Sequence, residues 1–268
     1  MPPLLASLLE APLPPSGIDW LDEVRREQRA AFAAGGLPDT RMEAWKYTAL
    51  RALAQRRFAS GDAAAQTHAV DAAALVLPGV AGPRLVFVNG AFRADLSRLD
   101  ALPAGLVLQP LSQALQGDAE PLRFALSRQA REPGDAFARI NAASASDGVV
   151  LRVAAHAKII APVQLVFVGA AAAVDLAWHA RSMIELGEGA ELSLIEQHVA
   201  SGEQMHLATL VSEIELREGA RLHAAVLQHA AIGASLIRRS QLPGAFSGST
   251  SPKPTRSTRS MGRSSSPT

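Results

Sequence analysis

The fold is decided by a nine-residue stretch, IELGEGAEL at residues 184–192, which returns as IELREGARL at residues 214–222. Seven of the nine positions are identical at an offset of 30 residues. A weaker copy, LRVAAHAKI, lies 33 residues upstream of the first, at residues 151–159. All three copies share an aliphatic-x-aliphatic run, a turn, and an alanine followed two positions later by an aliphatic residue. Repeats of this length are typical of stacked supersecondary units.

Each copy predicts a strand, a tight corner and a second strand. Ile184 and Leu186 alternate onto one face of the first strand, and Leu192 follows after the corner. Gly189 and Gly219 supply the permissive backbone that the corner needs. Stacking the copies about 4.8 Å apart lets each coil cover the apolar face of its neighbour. We therefore predict a mainly β chain: a parallel β-solenoid (β-helix) preceded by a helical or mixed α+β N-terminal region.

Other repeat architectures fail either on the length of the repeat or on its secondary structure. A left-handed acyltransferase solenoid repeats every six residues or so, and ankyrin, tetratricopeptide and HEAT arrays need two helices in each unit. The β-rich copies of this chain cannot supply those helices.

The repeat register predicts which side chains stack between neighbouring coils: Glu185 on Glu215, Glu188 on Glu218, and Glu191 on Arg221. Paired carboxylates on one face could bind a cation or act as acid and base. A solvated outer face is the favoured interpretation, because like-charge repulsion between exposed groups is screened. His156 takes the position of Gly189 and Gly219, so we expect a corner residue that tolerates positive φ rather than a metal ligand.

Three zones are expected along the chain. Residues 1–145 form the helical or mixed N-terminal region, and residues 146–242 form the first coils of an incomplete solenoid. In residues 243–268, Ser, Thr, Pro and Gly account for 19 of 26 positions, and Arg supplies most of the charge. Such a composition cannot bury enough apolar surface to offset its ordering entropy, so we expect a disordered tail.

The N-terminal region carries helix and hairpin signals. Ser16-Gly17-Ile18-Asp19 has the spacing of a capping box, and Gly35-Gly36 supplies a stop. A second short helix is expected through Leu50 and Leu53. Asn89-Gly90 after an apolar run predicts a type I′ hairpin, because that turn needs positive φ at both central residues. Later helical stretches are expected around Phe124, Ala125, Phe137 and Ile140.

Composition limits the possible functions. The formal net charge is +1, of which residues 243–268 contribute +4, leaving −3 for residues 1–242. Residues 1–242 are therefore mildly acidic and lack the basic surface that nucleic-acid binding requires. The absence of cysteine excludes disulfides and thiolate ligation of zinc or an iron–sulfur cluster by this chain alone. No stretch approaches the length of a transmembrane helix and no secretory signal is apparent, so a cytoplasmic location is expected.

Motifs for catalysis or metal binding are missing. No GxSxG elbow, P-loop or GxGxxG occurs, and residues 148–240 hold one Asp and one Lys, unlike a pectin-cleaving solenoid. Four histidines could converge on neighbouring coils and ligate iron or zinc: His198, His206, His223 and His229. Because unligated histidines are far commoner, we predict no metal site, and the residues offer no catalytic or cofactor-binding candidate either.

The densest constellation outside the repeats is LPDTRMEAWKYTALRAL at residues 37–53. Trp45 and Tyr47 are amphipathic anchors that could fix the helical zone onto the solenoid or onto a partner. We favour the contact within the chain.

The same stretch resembles the P-x-x-R-x-E-x-W-K-Y-T-x-L motif of SufD, in the SufB/SufD family of iron–sulfur cluster assembly proteins. The matching residues are Pro38, Arg41, Glu43, Trp45, Lys46, Tyr47, Thr48 and Leu50. Further similarity follows at Val88-Asn89-Gly90, from Phe137 to Asn141, from Asp147 to Leu151, and at Arg181, Ile184, Glu196 and Gln228. The resemblance covers about residues 15–240.

The resemblance implies a non-catalytic scaffold subunit of a cytoplasmic SufBCD complex. In such a complex SufC hydrolyses ATP, a cysteine desulfurase supplies sulfur, and clusters form at the SufB–SufD interface. The iron–sulfur cluster and ATP thus belong to the assembled complex, and this chain alone is expected to bind no cofactor. The expected partners are SufB-like and SufC-like subunits, with no nucleic acid and no membrane.

The chain departs from the family pattern at its C-terminal end. Family members are much longer, with later coils and a helical domain that docks SufC. The switch to a Ser/Thr/Pro/Arg tail suggests a truncated or frameshifted reading frame, so SufC docking is doubtful. The alternative function is a solenoid carbohydrate-binding or carbohydrate-active protein, which predicts a groove lined with carboxylates and aromatic side chains.

Overall fold

The computed structural model describes residues 1–48, 50–61, 64–131 and 136–242, with no account of the side chains of residues 44 and 128–131. The chain is mainly β and forms a parallel β-solenoid of about three turns behind several N-terminal helices, which confirms the predicted fold class. The predicted disordered tail, residues 243–268, lies outside the described residues.

The helices of the described part all precede the solenoid. Their bounds are α1 Pro3–Glu10, α2 Asp19–Gly35, α3 Arg51–Ala54, α4 Leu111–Gln116, α5 Glu120–Arg131 and α6 Ala136–Ser144. Short 3₁₀ turns span Glu43–Trp45, Ala72–Leu75 and Ala94–Leu96.

The strands alternate between two sheets. Four precede the solenoid: β1 Ala59–Ser60, β2 Arg84–Val88, β3 Ala91–Phe92 and β4 Leu106–Pro110. Seven build it: β5 Asp147–Val153, β6 Lys158–Ala170, β7 Leu176–Leu186, β8 Glu191–Ser201, β9 Leu207–Leu216, β10 Arg221–His229 and β11 Ser235–Gln241. Sheet 1 has the order β11-β9-β7-β5-β4, with β1 also on β7, and sheet 2 has the order β10-β8-β6-β2-β3. Consecutive solenoid strands thus lie in opposite sheets, two to a coil.

The two ends of the solenoid differ. At the N-terminal end, β4 pairs antiparallel with β5 and β3 pairs antiparallel with β2, whereas the pairs within the coils are parallel. At the other end of the described part, β10 pairs only with β8 and β11 only with β9.

The predicted register is confirmed at the strands. Ile184 pairs with Ile214 and Glu185 with Glu215, while Leu151 of the weaker copy pairs with Ile184. Arg221 faces Glu191, as predicted. Glu188 and Glu218 lie in the stacked corners, where their carbonyls accept the N–H groups of His156 at 2.7 Å and Gly189 at 2.9 Å.

Positive backbone dihedrals occur where the sequence predicts them. The φ angles of His156, Gly189 and Gly219 are 61°, 61° and 68°, so His156 is a corner residue. Asn89 and Gly90 have φ of 46° and 85° between β2 and β3, which confirms the predicted hairpin.

The main core fills the space between the two sheets, here called the lumen. Aliphatic side chains from both sheets meet there, with Phe87 stacked on Phe167 at a centroid distance of 5.3 Å. On the outer face of sheet 1, α1, α2 and α6 enclose a second cluster around Phe32 and Phe137. A third lies under α4 and α5, around Leu122. The helices therefore cover one sheet of the solenoid.

One local prediction is wrong. Ser16 does not cap α2, whose N-cap is Ile18 without a side-chain bond. The Ser16 hydroxyl donates instead to Asp22 Oδ1 at 2.7 Å, and the Ser16 N–H donates to the same oxygen at 3.0 Å. The helix ends at Gly35 as predicted, with Gly36 at φ 66°.

Candidate functional site

The stacked carboxylates lie in a groove on the outer face of sheet 1. Side chains from α5 form one wall and the ends of β5, β7 and β9 form the floor. Phe124 stands at the wall with 69% of its surface exposed. Glu185, Glu213 and Glu215 lie along the floor. Carboxylates and an aromatic ring in one groove match the expectation for a carbohydrate site.

Arginines pair with the outer two carboxylates. Arg217 Nη2 lies 2.9 Å from Glu215 and 3.9 Å from Glu185, and Arg152 Nε lies 3.5 Å from Glu185. The carboxylates keep about two-fifths of their surface exposed, so the pairs are well solvated. This geometry favours a charged outer face over an acid–base pair, because each carboxylate already has a cationic partner.

Glu213 is the buried member of the groove. Arg181 Nη2 donates to Glu213 Oε1 at 2.6 Å, and both side chains are less than 10% exposed. The same nitrogen reaches the carbonyl of Ala125 on α5 at 3.3 Å. The ion pair therefore fixes α5 on sheet 1. The sequence did not single out Glu213, although its place two residues before Glu215 puts it on the same face.

The histidines do not converge. No group of three or more His, Asp or Glu side chains that could hold a metal ion occurs in the described ranges. His223 and His229 are exposed on β10. His206 is held in a corner, where Nδ1 accepts the Leu176 N–H at 3.0 Å and Nε2 donates to the Ala170 carbonyl at 2.8 Å. Both ring nitrogens of His206 are thus occupied.

His179 lies under α6 on the outer face of sheet 1. Its Nδ1 lies 2.7 Å from the Thr209 hydroxyl, and Asn141 of α6 donates to that same hydroxyl at 3.0 Å. Burial lowers the pKa of His179 from 6.5 to about 4, because the charged ring loses its hydration. His179 is therefore a neutral group that joins α6 to the solenoid.

His198 belongs to a polar cluster inside the lumen. Its ring stacks on Phe167, and Nε2 lies 2.6 Å from Glu196 Oε1. Arg238 of β11 reaches across from sheet 1 and donates through Nε and Nη2 to the two oxygens of Glu196, the latter at 2.9 Å. Burial alone would raise the pKa of Glu196, but the hydrogen bonds from His198 and Arg238 lower it from 4.5 to about 2.

In this lumen cluster the Glu196 carboxylate is ionised and the His198 ring is fixed in position. Because an ionised carboxylate only accepts, His198 Nε2–H donates to Glu196. The sequence pointed to His198 and Glu196 separately, but it did not single out Arg238. The one sequence feature that could have identified Arg238 is the alternation of Leu236, Arg238 and Ser240 along β11, which places the arginine on the inward face.

The two aromatic residues of the W-K-Y-T stretch have different environments. Trp45 packs against Phe137 with ring centroids 5.4 Å apart, as the favoured contact within the chain predicts. Tyr47 is 84% exposed, with Lys46 Nζ 5.6 Å from its ring centroid. The prediction is therefore right for Trp45 and wrong for Tyr47, which points away from the core.

The helices described above include none with both the length and the apolar character needed to cross a bilayer. A family model described as "SufBD protein N-terminal region" matches residues 13–165. The protein named "Iron-sulfur cluster assembly SufBD family protein slr0076", from Synechocystis sp. (strain ATCC 27184 / PCC 6803 / Kazusa), is 27% identical over 212 residues, which are 74% of this chain and 46% of the relative. The chain spans about half the length of this curated relative. Because the family model covers more than half of the chain, the chain belongs to the SufBD protein family.

Proposed function

We propose that the chain takes part in iron–sulfur cluster assembly as a non-catalytic, SufD-like scaffold subunit of a cytoplasmic SufBCD-type complex. The observation that carries the proposal is the family match over residues 13–165, together with the name of the relative from Synechocystis. The W-K-Y-T motif around Trp45 favours the SufD branch over the SufB branch.

The chemistry of the chain supports a role without catalysis. The sequence contains no cysteine, so thiolate ligands for a cluster and the sulfur itself come from other proteins. The groove carboxylates of the described part have cationic partners, as shown above. The cluster is therefore the cargo of the complex, and ATP belongs to the SufC-like subunit.

Reconstitution of cluster assembly tests this function. SufB-like and SufC-like subunits of the source organism, a cysteine desulfurase, iron, cysteine and ATP are combined anaerobically, with and without the chain. We expect faster cluster transfer to an apo-ferredoxin with the chain, and no activity of the chain alone. Equal transfer without the chain would contradict a scaffold role. Sugar binding or hydrolysis lost in Glu185→Gln and Glu215→Gln would instead support the carbohydrate alternative.

A further inference from the structure

We infer that Arg56 couples the N-terminal region to three successive corners of the solenoid, so that these corners open together rather than one at a time. The inference concerns the chain alone and does not depend on the partners proposed above.

Arg56 lies beside the corners that lead from sheet 2 to sheet 1. These corners span residues 171–175, 202–206 and 230–234. The Arg56 Nη2 group donates to Asp175 Oδ2 in the first corner at 3.0 Å and to the Met205 carbonyl in the second. Its Nη1 group donates to the Gly233 carbonyl in the third corner at 3.5 Å. One guanidinium thus contacts all three corners, and the four residues together are here called the corner clasp.

Contacts within its own segment hold Arg56 in place. Its N–H donates to the Leu53 carbonyl at the end of α3 at 3.0 Å, and its guanidinium carbon lies 4.7 Å from the ring centroid of Phe58. Phe58 is 6% exposed and belongs to the core cluster under the N-terminal helices. The Ala59 N–H donates to the Asp175 carbonyl at 2.9 Å, where β1 pairs with β7. The segment that carries Arg56 is therefore anchored on both sides of the guanidinium.

Asp175 is the second charged member of the corner clasp. It is the single aspartate of residues 148–240. Its Oδ2 accepts from Arg56, whereas its Oδ1 accepts the Met205 N–H at 3.2 Å. The ion pair is partly shielded from water, with 22% of the Arg56 side chain and 37% of the Asp175 side chain exposed. The carboxylate therefore joins the first two corners and holds the guanidinium that reaches the third.

The span of the corner clasp has a physical consequence. Each coil of a solenoid contacts only its neighbours, so corners two coils apart ordinarily open independently. Arginine can bridge them because its planar fork presents five N–H donors, whereas lysine carries a single compact charge. Loss of the fork at position 56 should therefore release the third corner even where the positive charge is kept.

Hydrogen–deuterium exchange of the full chain, read by mass spectrometry for peptides that cover each corner, tests the inference. In Arg56→Ala we expect the amides of all three corners to exchange roughly tenfold faster, because hydrogen bonds to a charged group are lost. In Arg56→Lys the ion pair with Asp175 remains, so we expect the first corner to exchange as in the wild type and the third to exchange faster.

Arg57→Ala is the matched control. Arg57 is the next residue along the chain, and it pairs with Glu10 through side chains that are both more than half exposed. We expect this variant to exchange like the wild type at all three corners. The amides of the buried strand β5 should exchange alike in every variant, which shows that the fold is kept.

Two outcomes would overturn the inference. A third corner that exchanges as in the wild type in the Arg56 variants would show that Arg56 acts only on its own segment and the nearest corner. Equal acceleration in Arg57→Ala would show that the effect does not come from the corner clasp. If Arg56→Ala does not fold, the difference between the first and third corners in Arg56→Lys decides.

Discussion

His156 lies directly beneath Gly189 in neighbouring coils, and both residues have a φ of 61°. A Cβ placed on Gly189 would approach His156 Nδ1 to 2.9 Å. The His156 N–H reaches up to the Glu188 carbonyl at 2.7 Å, so the two corners are also joined through the backbone. A side chain at position 189 would therefore have to displace the His156 ring.

Gly189→Ala is predicted to destabilise the fold more than Gly219→Ala. Both substitutions force a side chain into positive φ, which costs about 1 kcal/mol or more. Only the first also meets the His156 ring, since the nearest atom to an added Cβ at Gly219 is 3.7 Å away. Urea unfolding measures the difference. The double variant His156→Gly/Gly189→Ala should recover part of the loss, and a double variant as unstable as Gly189→Ala alone would contradict the steric account.

The clamp between Arg238 and Glu196 is predicted to stabilise the last coil. Arg238→Met leaves the buried Glu196 carboxylate with His198 alone, at an expected cost of about 2–3 kcal/mol in the free energy of unfolding. Arg221→Met is the control, because its pair with Glu191 is exposed and contributes less than about 1 kcal/mol. A double-mutant cycle with Glu196→Gln should show coupling above about 1 kcal/mol. Additive effects would show that the two residues act independently.

The lowered pKa of Glu196 predicts that the free energy of unfolding decreases at acidic pH. Because its pKa in the folded chain is about 2, below the ordinary 4.5, its contribution is present above pH 4.5 and is lost as the pH falls toward 2. The difference corresponds to about 3 kcal/mol. Urea midpoints between pH 5 and pH 3 should fall less steeply in Glu196→Gln than in the wild type, and parallel curves would argue against the clamp.

The lowered pKa of His179 predicts a second decrease in the free energy of unfolding, between pH 6.5 and pH 4. Its folded pKa of about 4 lies below the ordinary 6.5, so the unfolded chain binds the proton first as the pH falls. Stability from the neutral ring is complete above pH 6.5 and decreases by up to about 3 kcal/mol toward pH 4. His179→Asn should flatten the curve in this range, whereas His223→Asn on an exposed site should not. A wild type whose stability is constant from pH 6.5 to pH 4 would contradict the burial of His179.

The repeat predicted the solenoid because its signal is local and periodic. Strand alternation and a glycine corner specify one coil, and the fixed offset then gives the register of Glu185 on Glu215 and Glu191 on Arg221. The corner role of His156 followed from the same alignment. These features need no knowledge of how the two sheets face each other.

Contacts between distant elements could not be predicted in this way. Arg238 and Glu196 are 42 residues apart and belong to different sheets, so no repeat offset joins them. The pairing of Ser16 with Asp22 was missed because the capping-box spacing points to Asp19, whereas the carboxylate that accepts both the hydroxyl and the N–H of Ser16 lies six residues along the chain. The exposure of Tyr47 depends on how Trp45 packs on Phe137, 92 residues further along the chain.

Native mass spectrometry of the chain co-expressed with SufB-like and SufC-like subunits tests the scaffold proposal most directly. The account predicts a complex of the chain with the SufB-like subunit, with weak or absent direct binding of the SufC-like subunit. A chain that remains monomeric beside a folded SufB-like subunit would contradict the proposal.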